Sequence, residues 1–392
     1  MKTNIFMTLS ALVLIGWYGC KEEEHLSYPD TDAAIPGQVH DVKWESIPGG
    51  AIVTYKLPED KSLSYVKAVY EIQPGVYREA KSSSYQDSLY LVGFGDTTEY
   101  KVNIYSVGRN EKESAPITVN VRPDLPPVKS AFKTLTLDVT FGGVQITYKN
   151  EAQADLAIFV MADTTGNREW FQLAPHFTSS LEGNFAIRDM EAKAADFGIY
   201  IRDRWNNKSD TLVKNLTPLF EEPIPYSNFK LVSLPSDKNK GQGTNSVDRL
   251  FDGKVGAGDT WYKSEDDTYP QWFTMDMQQP VVFGRMRLFQ CIGYPYVPDW
   301  VKDFEIWGSN ELVDDWDKWI LLGHFESFKP SGLPDPTYTA EDMEYERAGE
   351  DYSFPVGIPA VRYMRFKVLT IRGGGGKFYS LNELSFWGQI VK

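Results

Sequence analysis

Cysteine and histidine are scarce in this chain of 392 residues, which holds two of the first, Cys20 and Cys291, and four of the second, His25, His40, His176 and His324. Two cysteines cannot build a disulfide framework. Cys20 lies in a segment with the look of a processing signal, which leaves Cys291 alone as a small buried side chain. The histidines are scattered, and His-Glu-x-x-His, Gly-x-Ser-x-Gly and Gly-x-x-x-x-Gly-Lys-Ser/Thr are all missing. Metallopeptidase, serine hydrolase and nucleotide-dependent chemistry therefore fall away. A basic excess is lacking too: 40 Lys and Arg stand against 54 Asp and Glu, a net charge of −14. Such a chain repels a phosphate backbone instead of releasing its counterions, so nucleic acid is not an expected partner. No helical stripe of apolar residues rivals the strand-like alternation of the chain. Glycoside hydrolysis needs only two carboxylates at a suitable separation, and 54 acids leave it open.

What is present is a folded protein. Hydrophobic residues at 42% and charged residues at 24% are ordinary for globular chains, and the length suits two to four domains. Aromatics are abundant, with 11 Trp, 22 Tyr and 22 Phe, a surplus that serves β-sheet cores, stacking surfaces, or both.

The apolar run from Ile5 to Tyr18 is too short for a comfortable membrane span, which takes about 20 residues. It reads as a signal peptide over residues 1–19. Trp17-Tyr18-Gly19-Cys20 resembles a bacterial lipoprotein box, and Lys21-Glu22-Glu23-Glu24 resembles the acidic tag of lipoproteins that Bacteroidetes export to the cell surface. The resemblance implies a lipid on Cys20, an outer-membrane location, and a tether over residues 20–36. Each buried CH₂ of such a chain contributes about 0.8 kcal/mol, so two or three chains hold a soluble domain at a bilayer.

Beyond the tether, Ala51, Val53, Tyr55 and Leu57 alternate with Ile52, Thr54 and Lys56, and similar runs recur at Tyr100-Val102-Ile104 and Ile117-Val119-Val121. Period-two strands between Pro, Gly and Asp clusters predict an antiparallel sandwich. Gly49-Gly50-Ala51-Ile52-Val53-Thr54-Tyr55-Lys56 is echoed by Gly142-Gly143-Val144-Gln145-Ile146-Thr147-Tyr148-Lys149, and Tyr100–Ile104 by Phe197–Ile201, the signature of a duplicated domain. Leu91, Thr97-Thr98 and Tyr100 resemble the tyrosine corner of fibronectin type III domains, with Phe197 in the corner position of the second copy. The expected units are residues 37–122 and 123–225. Pro123, Pro126 and Pro127 form the joint between them, and Glu221-Glu222-Pro223-Ile224-Pro225 the joint to the C-terminal segment; proline stiffens such joints. Trp205, in the turn Asp203–Asp210, is expected to fold back over its own domain.

From residue 226 to 392 the vocabulary changes. Leu250-Phe251-Asp252-Gly253, Asp259-Thr260-Trp261, Pro270–Met277, Phe304–Asn310, Arg362–Phe366 and Asn382–Gly388 occur in an order that resembles a discoidin, or coagulation factor 5/8 type C, domain. That family is an eight-stranded β jelly roll related to modules that bind galactose-type sugars. The fold class expected is thus all-β: two fibronectin III-like sandwiches followed by a discoidin-like jelly roll. The resemblance further implies a structural calcium held by Asp252, Thr260 and Glu383; the residues alone equally permit Asp252 as a turn cap and Glu383 as an edge charge.

Sugar recognition calls for aromatic planes and for planar charged or amide groups. Three loops together supply both: Trp261-Tyr262, Tyr294–Trp300 and Arg372–Tyr379. The candidate carbohydrate-binding residues are Trp261, Tyr294, Tyr296, Trp300, Arg372, Lys377 and Tyr379, with Tyr294 and Tyr296 alternating on one exposed face. Taken together, these resemblances imply a non-catalytic surface lipoprotein that captures polysaccharide or oligosaccharide beside an outer-membrane transporter complex. A protein-interaction scaffold subunit and a hydrolase with appended binding modules are the alternatives. Asp87-Ser88-Leu89 and Asp210-Thr211-Leu212 also resemble Bacteroidetes O-glycosylation sites.

Overall fold

A computed structural model describes residues 34–173, 175–238, 240–256 and 261–391. The signal segment, Cys20 and most of the tether lie outside the described residues, as does Thr260. The described chain divides into two compact units at Pro127.

The first unit is a sandwich of two antiparallel sheets. One holds His40–Ile47, Gly50–Lys56 and Ser88–Val92; the other runs Val76–Ser83, Leu63–Gln73, Tyr100–Gly108, Ile117–Val121. Alternation works as expected: Ala51, Val53 and Tyr55 enter the core from one sheet, and Val66, Ala68, Tyr70, Val102 and Ile104 from the other. Tyr70 ties the layers together, its hydroxyl 3.1 Å from both the N–H and the carbonyl of Val92. The Tyr100 hydroxyl reaches back to the Asp96 carboxylate at 2.9 Å, in the manner of a tyrosine corner.

The same arrangement opens the second unit. Glu182–Ile187, Gly143–Lys149 and Thr136–Thr140 form one sheet; Phe171–Gln172, Leu156–Asp163, Ala195–Asp203 and Leu212–Leu216 form the other, with His176–Thr178 also paired to Leu156–Asp163. The echoed segments are central strands of the matching sheets, and Val144, Ile146 and Tyr148 are buried like Ala51, Val53 and Tyr55. The duplicated glycine pairs have a physical cause. Gly49 and Gly142 both turn at positive φ, 64° and 68°, and a Cβ on Gly50 or Gly143 would lie 2.4 Å or 1.8 Å from the carbonyl oxygen of Leu91 or Ile187. Phe197 is buried in the core, so no corner hydroxyl exists there.

Among the described residues, two short α-helices break the all-strand pattern. Pro127 opens the helix Pro127–Thr134, occupying the first helical position where a missing N–H costs nothing, and Val128 and Ala131 face the core. The second helix, Ala340–Ala348, belongs to the C-terminal module and starts with a Thr339–Asp342 capping box.

That module is built on one strand of 19 residues, Gln271–Phe289. Its first half pairs with Lys230–Val232 and Val361–Ile371, its second with Glu350–Ser353 and Glu383–Ile390. The pairing register shifts between Asp276 and Val281, where Gln278 adopts φ 64°. Val301–Ser309 and Ile320–Glu326 complete an eight-stranded sheet with the short strand Glu222–Pro223. Phe273, Met275, Phe283, Met286, Phe304, Met364, Phe366, Leu384 and Phe386 fill the interior.

The joint Glu221–Pro225 is held by more than proline. Glu222–Pro223 pairs with the last strand. The buried Glu221 carboxylate accepts from Arg285 Nε at 3.0 Å and lies 3.9 Å from Arg188, whose guanidinium also donates to Ser353 Oγ at 2.6 Å. The second sandwich and the C-terminal module are thereby one packed unit.

Candidate functional site

The three loops named from sequence do meet. Tyr262–Lys263 pairs with Ser380–Leu381, Trp300 bridges to Ser380, and the N–H groups of Arg372 and Gly373 donate to the carbonyls of Trp300 and Pro298 at 3.0 and 2.7 Å. Gly373 owes its identity to this meeting, since a Cβ there would stand 2.4 Å from that of Pro298. Its close backbone approach is thus to protein.

The aromatic residues divide sharply. In the short strand, Tyr262 points inward and is buried, which turns its neighbours Trp261 and Lys263 outward. Tyr294 is 55% exposed. Trp261 and Tyr294 meet edge to face, with ring centroids 5.4 Å apart and planes at 76°. Beside them opens a recess of about 300 Å³, lined further by Lys263, Cys291, Val297, Asp299 and Ser380.

Four of the other candidates, Tyr296, Trp300, Tyr379 and Arg372, are turned inward by the structure. Tyr296 is only 1% exposed and does not share a face with Tyr294. The reason is backbone geometry: Tyr296 sits at φ 55°, so strand alternation does not apply, and its hydroxyl donates to the carbonyl of Asp342 at 3.3 Å. Trp300 is buried against Tyr296 at 4.8 Å, and Tyr379 is buried against Tyr262 at 5.7 Å. Arg372 is committed internally: its guanidinium lies over the Tyr296 ring at 4.8 Å, donates to Ser327 Oγ at 2.9 Å, and pairs with Asp335 at 3.3 Å. Lys377 is exposed, but its contribution to the loop is a carbonyl that accepts from Gln271 Nε2 at 2.6 Å and from the Asp267 N–H at 2.8 Å.

Sequence reasoning missed Lys263, Val297, Asp299 and Ser380. Lys263 was within reach, because it alternates with Trp261 across Tyr262. Its ammonium rests 4.0 Å from the centroid of Phe378. Asp299 was not, since only the fold brings its carboxylate to accept from Ser380 Oγ at 2.5 Å. The helix Ala340–Ala348 was missed as well, and it sets the loop: Glu346 accepts from the Gly293 N–H at 3.1 Å, one residue before Tyr294.

At the expected calcium position, Glu383 is fully buried; the N–H groups of Gly253 and Asp252 and the Tyr226 hydroxyl lie near its carboxylate, but neither oxygen accepts a hydrogen bond of good geometry among the described residues. Burial, and then the charge of Asp252, push its carboxyl up to about 8. Asp252 accepts from the Lys254 N–H at 2.9 Å, and Asn382 clamps the same loop by two bonds to Gly256, 2.9 and 3.0 Å. A buried carboxylate with only poorly aligned donors, close to a second one, suits a hard cation that takes oxygen ligands. Among the described residues no group of three acidic, histidine or cysteine side chains is assembled for a metal, so a cation here would also draw on backbone carbonyls.

Three families match the chain in succession: "Domain of unknown function (DUF4959)" over residues 36–123, "Domain of unknown function (DUF5126)" over 124–227, and "Domain of unknown function", DUF5000, over 251–388. No curated protein matches. Among solved structures, the family 32 CBM of NanJ from C. perfringens in complex with galactose is 15% identical, covering 43% of this chain and 98% of its own, with a TM-score of 0.30. A two-domain fibronectin type III segment of chicken tenascin is 13% identical over 46% of this chain and 99% of its own, with a TM-score of 0.23. The SusE-like protein BT2857 is 30% identical over 68% of this chain and 100% of its own, with a TM-score of 0.44. Identity at that level along a relative's whole length, and not superposition, places the chain: it belongs to the SusE-like family.

Proposed function

We propose that the protein captures glycan chains at a cell surface without cleaving them, through the recess beside Trp261 and Tyr294. One observation carries the reading: the exposed Tyr294 ring, braced edge-on by Trp261, borders a recess that also holds one ammonium, Lys263, and one carboxylate, Asp299. An apolar sugar face stacks on the tyrosine, while Lys263 donates to hydroxyls and Asp299 accepts from them. Hydrolysis would call for two carboxylates, and Asp299 is the single one lining the recess among the described residues. Membership of the SusE-like family and likeness to carbohydrate-binding modules support a non-catalytic glycan role.

A shallow site of this size binds weakly and gains from many copies on one surface. Acyl chains on Cys20 would supply that surface at the outer membrane, beside a transporter complex. Calcium, held by Asp252, Glu383, Thr260 and carbonyls of the same loop, would neutralise the buried carboxylate and stiffen the loop that leads to Trp261.

Glycan arrays probed with the leaderless protein test the reading. Saturable binding weakened tenfold or more in both Trp261→Ala and Tyr294→Ala, with an unchanged circular dichroism spectrum, supports it. A blank array, with co-purification of a membrane partner instead, overturns it in favour of a scaffold role. Release of the Cys20→Ala protein from the membrane fraction tests the anchor, and a mass shift lost in Ser88→Ala tests O-glycosylation.

A further inference from the structure

A second recess lies on the second sandwich, far along the chain from the loops of Trp261 and Tyr294. The strand Leu156–Asp163 sends Leu156 and Ile158 into the core, so Ala157 between them faces outward. Its cross-strand partners are Phe177 on one side and Arg202 on the other. Neighbouring strands are spaced about 4.8 Å apart, so the two large side chains rise on either side of a small one, roughly 10 Å from each other. The result is a notch of about 430 Å³ floored by Ala157 and walled by Phe177 and Arg202.

Each wall is fitted for binding. Phe177 is 70% exposed, so its ring is available as a stacking plane. Arg202 is pre-set: its guanidinium lies 4.6 Å from the centroid of Phe159, which is itself stacked on Tyr200 at 5.0 Å with planes 10° apart. Stacking of this sort holds the planar fork and leaves its edge donors free to reach a ligand. Thr178, Ser179, Asp155 and Arg204 complete the rim, with Arg204 and Asp155 3.8 Å apart. Asp203 is occupied in the turn, accepting from the N–H groups of Trp205 and Asn207 at 2.9 Å each.

We infer that this notch is a second saccharide site, one that takes a single pyranose ring between Phe177 and Arg202. A ring edge fits the span, an apolar sugar face suits Phe177, and hydroxyls suit the guanidinium and Ser179. The centre of a protein–protein interface is depleted in Asp, whereas two line this recess, Asp155 and Asp203, which favours a hydroxylated ligand over a protein occupant. The site is independent of the Trp261 recess in its residues and its sheet. It would let one chain grip a polysaccharide at two points, raising the effective concentration for the second contact.

Affinity electrophoresis of the leaderless full chain tests this, in native gels cast with pectic galactan, arabinogalactan, galactomannan, arabinoxylan, laminarin or chondroitin sulfate. In whichever gel retards the wild type, Trp261→Ala is expected to retain partial retardation. Adding Phe177→Ala or Arg202→Ala to that variant is expected to abolish what remains. Ala157→Leu in the same background fills the floor while removing no binding group, and is expected to do the same. Residual retardation untouched by all three substitutions overturns the second site alone, and so does its complete loss in Trp261→Ala by itself. A wild type retarded by none of the six overturns both this inference and the proposed function. Retardation that survives Trp261→Ala and Tyr294→Ala together but vanishes with Phe177→Ala overturns only the earlier reading. If Phe177→Ala leaves every glycan unaffected and instead breaks a complex with another protein, the notch is an interaction surface and the inference fails.

Discussion

Arg372 lies over the ring of Tyr296, its guanidinium carbon 4.8 Å from the ring centroid, and the ammonium of Lys329 approaches the same ring at 4.4 Å. Two residues expected to hold a sugar between them hold each other. Both cations are tied down further, Lys329 to Asp335 at 2.8 Å and Arg372 to Ser327, so the cluster is a structural post beneath the loop that displays Tyr294.

The first prediction separates the two tyrosines. Tyr296→Ala removes a buried ring and is expected to destabilise the fold by about 3 to 5 kcal/mol, whereas Tyr294→Ala is expected to change stability by less than about 0.5 kcal/mol. Urea denaturation of both variants checks this. Equal effects would contradict the division between post and platform.

Glu383 carries the second. If this buried carboxylate is a cation ligand, calcium at a hundred times its Kd should stabilise the protein by about 2.7 kcal/mol. That corresponds to a rise of about 5 °C or more over the EDTA-treated protein. Glu383→Gln should melt at the same temperature with and without calcium. A wild type indifferent to calcium would leave the carboxylate as a protonated, purely structural acid.

The third prediction concerns Asp342 and acid. Burial works to raise its carboxyl, but bonds from Ser331 and Thr339 outweigh it and lower it to about 2. A carboxyl depressed in the folded state stabilises it above the ordinary carboxylate range, and that contribution disappears as pH falls through about 2. Asp342→Asn is expected to cost about 2 kcal/mol at neutral pH and to flatten the stability profile between about pH 4 and 2. Thermal melts across that range provide the check. An unchanged slope in the variant would remove Asp342 from the account.

The fourth prediction concerns Glu221. Truncation to Ala leaves Arg285 and Arg188 facing each other without their shared carboxylate, at a cost of about 3 to 5 kcal/mol. Calorimetry should show the second sandwich and the C-terminal module melting apart in Glu221→Ala where they melt together in the wild type. A single undiminished transition would show that the strand pairing of Glu222–Pro223 alone couples them.

The all-β class was legible in the amino-acid order because burial alternates with period two wherever a strand has one wet face, as at Gly50–Lys56 and its echo Gly143–Lys149. The duplicated glycine pairs marked the same hairpin twice, since backbone at positive φ and in contact with a carbonyl admits little else. Cys291 was legible as a buried residue for want of a partner. The helix Ala340–Ala348 was not: its hydrophobic residues are few, and its start is secured by a local cap and not by an apolar stripe.

The site divides along the same line. Trp261 faces outward because a strand neighbour, Tyr262, faces in, which is a property of adjacent residues and therefore of the sequence by itself. The fates of Tyr294 and Tyr296 depended on Glu346 and Asp342, about fifty residues further on, which bind the loop and turn one ring out and the other in. Loop side chains have no period to obey. Their direction is set by whichever distant groups satisfy the backbone around them, and that pairing exists only once the tertiary fold has formed.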